Sequence, residues 1–590
     1  MNSDTSNRIR LTAFIALFVF LLLAARLWQL QILQGGEFRR ISNWNRVRIV
    51  KLPAPRGIIY DRQGTPLVKN SPYYTAALLK EMIKSADLDA IAHFLGMDTE
   101  EVNQRIKEHK DPFEPVVLKE GLTPEEVAYI EARRSDYPAL TIHVEETRHY
   151  LYGEVGAHLI GYLGRLTSSQ VKSTDYKDIP RESFIGQWGV EKLYDETLRG
   201  TPGRRVIEVD ALGRQLRILH EEPPAKGDDL YLSMDINLQK AAEEAFGGHA
   251  GALVALRPST GEVLGLVSKP SFDPNLFSRG ISYQDWLELM NHEGNPMLNR
   301  ALQSQYPPGS TFKIITAVAA LEVGAITPDT KTTCTGGIRQ GRWTFRCWKP
   351  GGHGTLSLHR ALVESCDVYF YVAGREADID NIARYARQFG LGSKTGIPLA
   401  EEKTGLVPDR QWKKKVKNES WYLGETYNAA IGQGFVLATP AQMARVISAV
   451  SNGGHLYAPV LLRAENPPEP VSNLKVKKET LRVVKEALEG VVNERHGTGG
   501  AARSPVVDIG GKTGTAQVIS EKRRDNLPDS LLEAFKDHAW FVAFAPQEKP
   551  EIALSVFVEH GGHGGETAAP IARKAIEAYM NSLEGHNETQ

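Results

Sequence analysis

Cysteine is almost missing from this chain of 590 residues: Cys334, Cys347 and Cys366 are all it has. So few cannot build a disulfide framework, and the fold must rest on hydrophobic cores. A charge of one sign is missing too, because 70 Lys and Arg stand against 71 Asp and Glu. Without a basic surface, a nucleic-acid partner is not expected. Beyond residue 33 no second apolar run is long enough to cross a bilayer, so one membrane span at most is expected. What is present is 42% hydrophobic and 24% charged residues. That is the mix of a folded protein, and the length calls for two to four domains.

The apolar run comes first. Residues 11–25 are uncharged, Arg8 and Arg10 precede them, and apolar character resumes after Arg26 with Leu27, Trp28, Leu30, Ile32 and Leu33. A cleavable signal peptide has a core of similar length, but Leu23-Ala24-Ala25 puts a bulky residue where cleavage wants a small one. The reading is an uncleaved anchor over 11–33 behind a cytoplasmic tail of residues 1–10, with the remainder outside the cytoplasm.

Behind an extended lead that ends in Pro53-Ala54-Pro55, residues 56–225 alternate strand-like and helical stretches and read as a scaffold. Glu221-Glu222-Pro223-Pro224-Ala225-Lys226-Gly227 reads as a linker. A strand over 228–233 and a helix over 237–246 follow. Apolar runs over 251–256 and 263–267 flank the turn residues Pro258-Ser259-Thr260-Gly261, a hairpin signal. A long apolar helix is expected over 311–323, strands over 540–545 and 552–558, and a helix over 568–581. The expected fold is an α+β domain over 34–225, then an α/β domain over 226–582 with one sheet flanked by helices. A disordered tail is expected over 583–590.

Pro307-Pro308-Gly309-Ser310-Thr311-Phe312-Lys313 passes from turn formers straight into the apolar helix. Ser310 therefore stands at a helix N-terminus, where developing negative charge is favoured. Lys313, three residues on, shares its face. A serine hydroxyl needs a base to become a nucleophile, and a lysine whose pKa is depressed by burial and nearby charge can be one. S-x-x-K alone is weak, since about two chance matches are expected in a chain this long. Ser169 to Lys172 and Ser472 to Lys475 are such matches, but neither has a Pro-Gly turn ahead or an apolar helix behind.

K-T-G occurs three times. Lys394-Thr395-Gly396 and Lys403-Thr404-Gly405 both run toward prolines, which suit internal strands poorly. Lys512-Thr513-Gly514-Thr515 leads into Ala516-Gln517-Val518-Ile519, and the later strand over 540–545 is a natural antiparallel partner. Only this copy fits an active-site edge strand, with Gly514 leaving room for a substrate backbone.

Three motifs in order, Ser310-Thr311-Phe312-Lys313, Ser365-Cys366-Asp367 and Lys512-Thr513-Gly514-Thr515, strongly resemble those of the class B penicillin-binding proteins. Arg56-Gly57-Ile58-Ile59-Tyr60-Asp61-Arg62 with Gly64 is similar to that family's pedestal motif, as are Gly186, Gly189, Glu191, Leu198-Arg199-Gly200 and Gly203. Ala430-Ile431-Gly432-Gln433-Gly434 resembles a further stretch beside the cleft. The middle motif commonly ends in Asn, and Asp367 in its place is typical of the elongation branch, penicillin-binding protein 2.

The resemblance implies a transmembrane helix, a pedestal (dimerisation-like) domain and a β-lactamase-like transpeptidase domain held in the periplasm by a single pass through the inner membrane. It implies a peptidoglycan D,D-transpeptidase in which Ser310 attacks D-Ala-D-Ala stem peptides and is acylated by β-lactams. Lys313 is then the base, Ser365 the proton relay and Lys512 a positive charge. Thr513, Gly514 and Thr515 belong to the substrate site, with Asp367 there or purely structural, and the Ser310 and Thr515 N–H groups form the oxyanion hole. Implied partners are a polytopic glycosyltransferase of the RodA (SEDS) type and other elongation-complex membrane proteins. A D,D-carboxypeptidase or β-lactamase on the same fold would let water replace the acceptor amine, but neither needs a pedestal or an anchor. A non-catalytic scaffold would not need Ser310, Lys313, Ser365 and Lys512 together.

Cys334, Cys347, His353 and Cys366 lie close together in the chain and use every cysteine it has. Three thiolates and an imidazole suit tetrahedral structural zinc. A Cys334–Cys347 disulfide, with Cys366 a small buried residue and His353 a loop residue, is the competing reading. His538, His560 and His563 read as structural, and Trp540 as core.

Overall fold

The computed structural model describes residues 3–36, 46–79, 88–109, 115–173, 176, 179, 183–209, 215–519, 528, 532 and 535–587. The N-terminal run is one helix, Ser3–Trp28, that passes into a π-helical turn, Gln29–Leu33. Asn7–Leu33 is long and apolar enough to cross a membrane, and none of it is buried. The expected span over 11–33 lies inside it.

The chain divides into two compact units, the first made of residues 1–57, 70–147 and 199–228. It holds an antiparallel sheet of Val47–Leu52, Gly203–Val209 and Gln215–Glu222. A separate core gathers Ala76, Leu78, Ile91, Val102, Leu118 and Ile130. Helix Pro124–Ala132 is one of its helical stretches, and Thr123 and Glu126 close a reciprocal capping box at its start.

The second unit comprises residues 58–69, 148–198 and 229–590, so the N-terminal half contributes two segments to it. A single cut near residue 225 does not describe this division. The cause is shared burial: Ile59, Val68, Leu159, Val190 and Leu198 enter one core with Leu232, Ile236, Val254 and Leu266. Arg148 and Glu191 also pair at 2.7 Å with both side chains out of solvent.

The frame of this unit is a five-stranded antiparallel sheet in the order Val263–Lys269, Gly251–Leu256, Ile552–Val558, His538–Ala545, Gly510–Ala516. Gly251–Leu256 and Ile552–Val558 are buried at every position. Continuous apolar runs mark strands covered on both faces. On one face Leu253, Phe541 and Val556 pack with Leu238 and Phe246 and with Ile571, Ile576 and Tyr579 of helix Ala568–Asn587. On the other, Trp540, Val542 and Phe557 share a core with helices Lys313–Glu322 and Asp367–Ala377. Odd and even positions of His538–Ala545 thus serve opposite cores, as strand alternation requires.

The expected tail needs correction. The last helix continues to Asn587, and Leu583 packs against the core; residues 588–590 lie outside the described residues. The helix expected over 237–246 spans Ile236–Ala245, and the Asp235 carboxylate accepts from two of its first N–H groups.

Candidate active site

Pro307 and Pro308 break regular structure, and Gly309 then takes φ 55°, a left-handed conformation that side chains resist. Its N–H donates to the Gly432 carbonyl at 3.0 Å. A Cβ at Gly309 would lie 2.5 Å from the Thr515 carbonyl oxygen, so the turn and the edge strand touch backbone to backbone. The Trp540 indole N–H donates to the Pro307 carbonyl at 3.0 Å and clamps the turn from beneath. Gly309–Phe312 forms a short 3-10 turn that runs directly into helix Lys313–Glu322. Ser310 stands half-buried in that turn.

Lys313 and Lys512 are fully buried and converge on one hydroxyl. Ser365 Oγ accepts from Lys313 Nζ at 3.2 Å and from Lys512 Nζ at 2.9 Å. Ser365 holds φ 54°, a strained conformation for a residue with a side chain. Lys313 Nζ also donates to the Ser365 carbonyl at 2.8 Å and pairs with Asp367 Oδ1 at 2.7 Å. Lys512 Nζ donates to the Thr513 carbonyl at 3.0 Å. Burial, then the charge of Lys313, holds the Lys512 amine well below the ordinary lysine range, while Asp367 opposes the shift. The two amines thus share one hydroxyl, that of Ser365, through which the cluster can pass a proton between them.

Thr513 lies on the edge strand with its hydroxyl 2.8 Å from that of Thr498. Gly514 has no room for a Cβ, which would come within 2.9 Å of the Pro308 oxygen. The Thr515 carbonyl accepts from Gln433 Nε2 at 3.1 Å. Of the three K-T-G copies, only that at 512 is in a strand; 394–396 and 403–405 lie in irregular chain. The matches at 169 and 472 fall on a short 3-10 turn and a two-residue strand.

Cys334, Cys347, His353 and Cys366 are all buried, and their ligand atoms lie within 4.8 Å of one another. The His353 Nδ1 atom is 3.7 Å from Cys334 Sγ and 3.5 Å from Cys347 Sγ. The three cysteines are free thiols. Hydrogen bonding from Cys366 pulls Cys347 down to about 5, while the same contact and burial push Cys366 up. A tetrahedral S₃N site needs sulfurs roughly 3.8 Å apart for metal–sulfur bonds near 2.3 Å. The four side chains can hold a metal ion with little movement.

Trp348 was not foreseen. Its backbone N–H donates to Asp367 Oδ2 at 2.9 Å, and its indole N–H donates to the Ser365 carbonyl at 3.0 Å. Adjacency to Cys347 was the one signal for it. Thr498 had none. His538 and His560 pack against each other with ring centroids 4.7 Å apart, and His563 is exposed. Trp540 is core on its ring and a clamp through its nitrogen.

A serine at a helix start, followed three residues on by a buried amine that meets a second one on Ser365, is the equipment of acyl-serine enzymes. An antiparallel sheet with helices on both faces is the frame of their penicillin-recognising class. The comparisons with known proteins narrow this. The penicillin binding protein transpeptidase domain family matches residues 251–577, and the penicillin-binding protein dimerisation domain family matches residues 51–232. The peptidoglycan D,D-transpeptidase MrdA of Acinetobacter baumannii is 39% identical over 97% of this chain and 87% of its own. PBP2 of Helicobacter pylori, solved in complex with MreC, superimposes with a TM-score of 0.78 at 30% identity, over 91% of this chain and 99% of that one. A chain solved in a study of how a peptidoglycan synthase complex coordinates polymerization and crosslinking gives 0.75 at 34% identity, covering 97% and 98%. The chain belongs to the class B penicillin-binding proteins, in the PBP2 (MrdA) branch.

Proposed function

We propose that this protein cross-links peptidoglycan during elongation as a D,D-transpeptidase acting through Ser310. The observation that carries the reading is the meeting of Lys313 and Lys512 on Ser365, with Lys313 standing three residues after Ser310 at the start of the helix. Lys313 takes the Ser310 proton as Oγ attacks the carbonyl carbon of the penultimate D-Ala. The peptide C–N bond breaks, and the terminal D-Ala leaves as an amine with a proton relayed through Ser365. An acceptor amine then attacks the ester; its lost proton returns to Oγ as the Ser310 ester bond breaks. The N–H groups of Ser310 and Thr515 hold the oxyanion, a contribution of about 3 kcal/mol per donor in comparable enzymes. Thr513 and Thr515 seat the donor's carboxylate, and Gly514 between them lets the strand lie against the Ser310 turn. Asp367 positions Lys313.

The Cys₃His donor set supports structural zinc held by Cys334, Cys347, His353 and Cys366. Cys366 lies between Ser365 and Asp367, so such an ion would brace the strained loop that carries the relay. The pedestal is read as residues 34–225 apart from 58–69 and 148–198, which fold with the transpeptidase domain, and that domain, running to about residue 587, is placed in the periplasm. The exposed apolar helix and the relatives solved with MreC and within a synthase complex support membrane partners, among them a RodA-type glycosyltransferase.

Fluorescent penicillin separates the readings. A transpeptidase gives a persistent adduct that Ser310→Ala abolishes, a β-lactamase turns the label over, and a scaffold gives none. Cross-linked product from lipid-linked precursor, with the membrane glycosyltransferase present, completes the test.

A further inference from the structure

Between Asp329 and Glu364 the sequence carries Lys331, Arg339, Arg342, Arg346, Lys349 and Arg360 and not one acidic residue, in a chain whose overall charge is −1. Four of these cations stand on or just beyond a single hairpin, Gly337–Gln340 paired with Trp343–Arg346. Arg339, Arg342, Arg346 and Lys349 are exposed. Two tryptophans accompany them, with Trp343 64% and Trp348 58% exposed. Tryptophan rings left this open to water usually serve recognition rather than packing. The Arg342 guanidinium lies 5.2 Å above the Trp343 ring, which presents a cation on an apolar platform.

This hairpin is tied to the catalytic residues. It leads through Cys347 into Trp348, whose two N–H groups hold Asp367 and the Ser365 carbonyl. The Arg346 carbonyl is held by the Tyr371 hydroxyl at 2.9 Å, and Phe345 packs edge-on against Tyr427. The exposed side chains are therefore displayed from a rooted base on the Ser365 side of the site. The edge strand on the other side is assigned to the donor's C-terminal carboxylate. Every uncross-linked stem peptide ends in such a carboxylate, and a reaction that joins two strands must hold a second one.

We propose that the 337–349 hairpin is the docking surface of the acceptor strand, its cations meeting stem-peptide carboxylates and its tryptophans stacking on the glycan. The inference rests on the transpeptidase reading. Full-length protein in detergent is first acylated with penicillin, which closes the donor site. Binding of soluble, uncross-linked peptidoglycan strands is then measured by fluorescence anisotropy at two salt concentrations. The acylated protein is expected to bind strands, less tightly at high salt and less tightly when the strand carboxylates are amidated. The Arg339→Gln/Arg342→Gln/Lys349→Gln variant should bind roughly tenfold more weakly, since three exposed charge contacts are lost. Trp343→Ala alone should weaken binding severalfold, and penicillin acylation rates of both variants should stay within about twofold of wild type.

Strand binding unchanged in both variants, or insensitive to amidation, overturns the proposal. So does binding abolished by acylation, which would make the surface part of the donor site. Variants that lose only their affinity for vesicles of anionic lipid would assign the hairpin to the membrane instead. Wild-type protein that penicillin does not acylate at Ser310 would defeat the transpeptidase reading itself, a separate result from any of these.

Discussion

Lys313 and Asp367 form an ion pair at 2.7 Å that joins the first turn of the nucleophile helix to the first turn of the next catalytic helix. The lysine is fully buried and the aspartate nearly so. The second Asp367 oxygen is taken by the Trp348 N–H, so one carboxylate fixes the lysine and the 348 backbone together. Lys512 meets Lys313 on the Ser365 hydroxyl, and the Asp367 charge reaches Lys512 through space rather than by a hydrogen bond.

Replacing Asp367 with Asn keeps the shape and removes that charge. Asp367 raises the Lys512 pKa, so its loss lets burial and Lys313 lower it further. The Lys512 amine then gives up its proton at lower pH and can take one from Lys313 through their shared Ser365 hydroxyl, so the acidic limb of the penicillin acylation profile should move to lower pH. Stability should fall by roughly 1–3 kcal/mol, because a buried charged hydrogen bond becomes a neutral one. A limb that stays in place in Asp367→Asn would show that Asp367 does not set the protonation of the pair.

The cysteine cluster makes a coupled prediction. Metal analysis should return one zinc per chain, and chelation or Cys366→Ser should lower the melting temperature by roughly 10 °C, since a lost ligand unties the loops it joins. Acylation should fall in the same titration, because Cys366 is flanked by Ser365 and Asp367. Protein free of stoichiometric zinc but fully active would remove the metal from the account.

Gly309 tests the contact between turn and strand. It adopts φ 55°, and a methyl group there would be 2.5 Å from a backbone oxygen of Thr515, which cannot swing aside as a side chain can. Gly309→Ala should therefore displace Ser310 from the edge strand. Misplacement by about 1 Å costs on the order of 100-fold in rate, so acylation should drop by that much while circular dichroism shows the fold retained. Normal labelling of Gly309→Ala would mean that the turn tolerates the shift.

Much of this arrangement was legible in the chain itself. Strands buried on both faces must be continuous apolar runs, so 251–256, 540–545 and 552–558 stood out, and the pairing of the 512 strand with the 540 strand followed from their proximity in sequence. The third K-T-G copy was distinguishable because the other two approach prolines. What was not legible depends on contacts far apart in sequence. Nothing local to residues 58–69 and 148–198 says that they complete a core with residues beyond 229, since apolar periodicity names a buried face but not its partner. Trp348 was hidden for a similar reason: its role comes from its nitrogens reaching Ser365 and Asp367, and a lone tryptophan reads as core. The basic hairpin escaped notice because the balanced charge of the whole chain conceals a local excess.

His538 carries the last prediction, one of stability. Its ring sits against Tyr306, Phe557 and His560, and its Nδ1 accepts the His560 backbone N–H at 3.0 Å. Burial, then the neighbouring His560, pulls its pKa down to about 4, against a smaller opposing pull from Glu559. An ordinary histidine in the unfolded chain titrates near 6.5. Between those values the unfolded state binds the proton and the folded state does not, so stability rises with pH across that window. The contribution is complete above about pH 6.5 and is lost as pH falls toward 4, a change of about 3 kcal/mol at most. Denaturant unfolding across this range should show that slope in the wild type and a shallower one in His538→Gln, which cannot take up a proton. Equal slopes would mean that His538 titrates alike in the folded and unfolded chain.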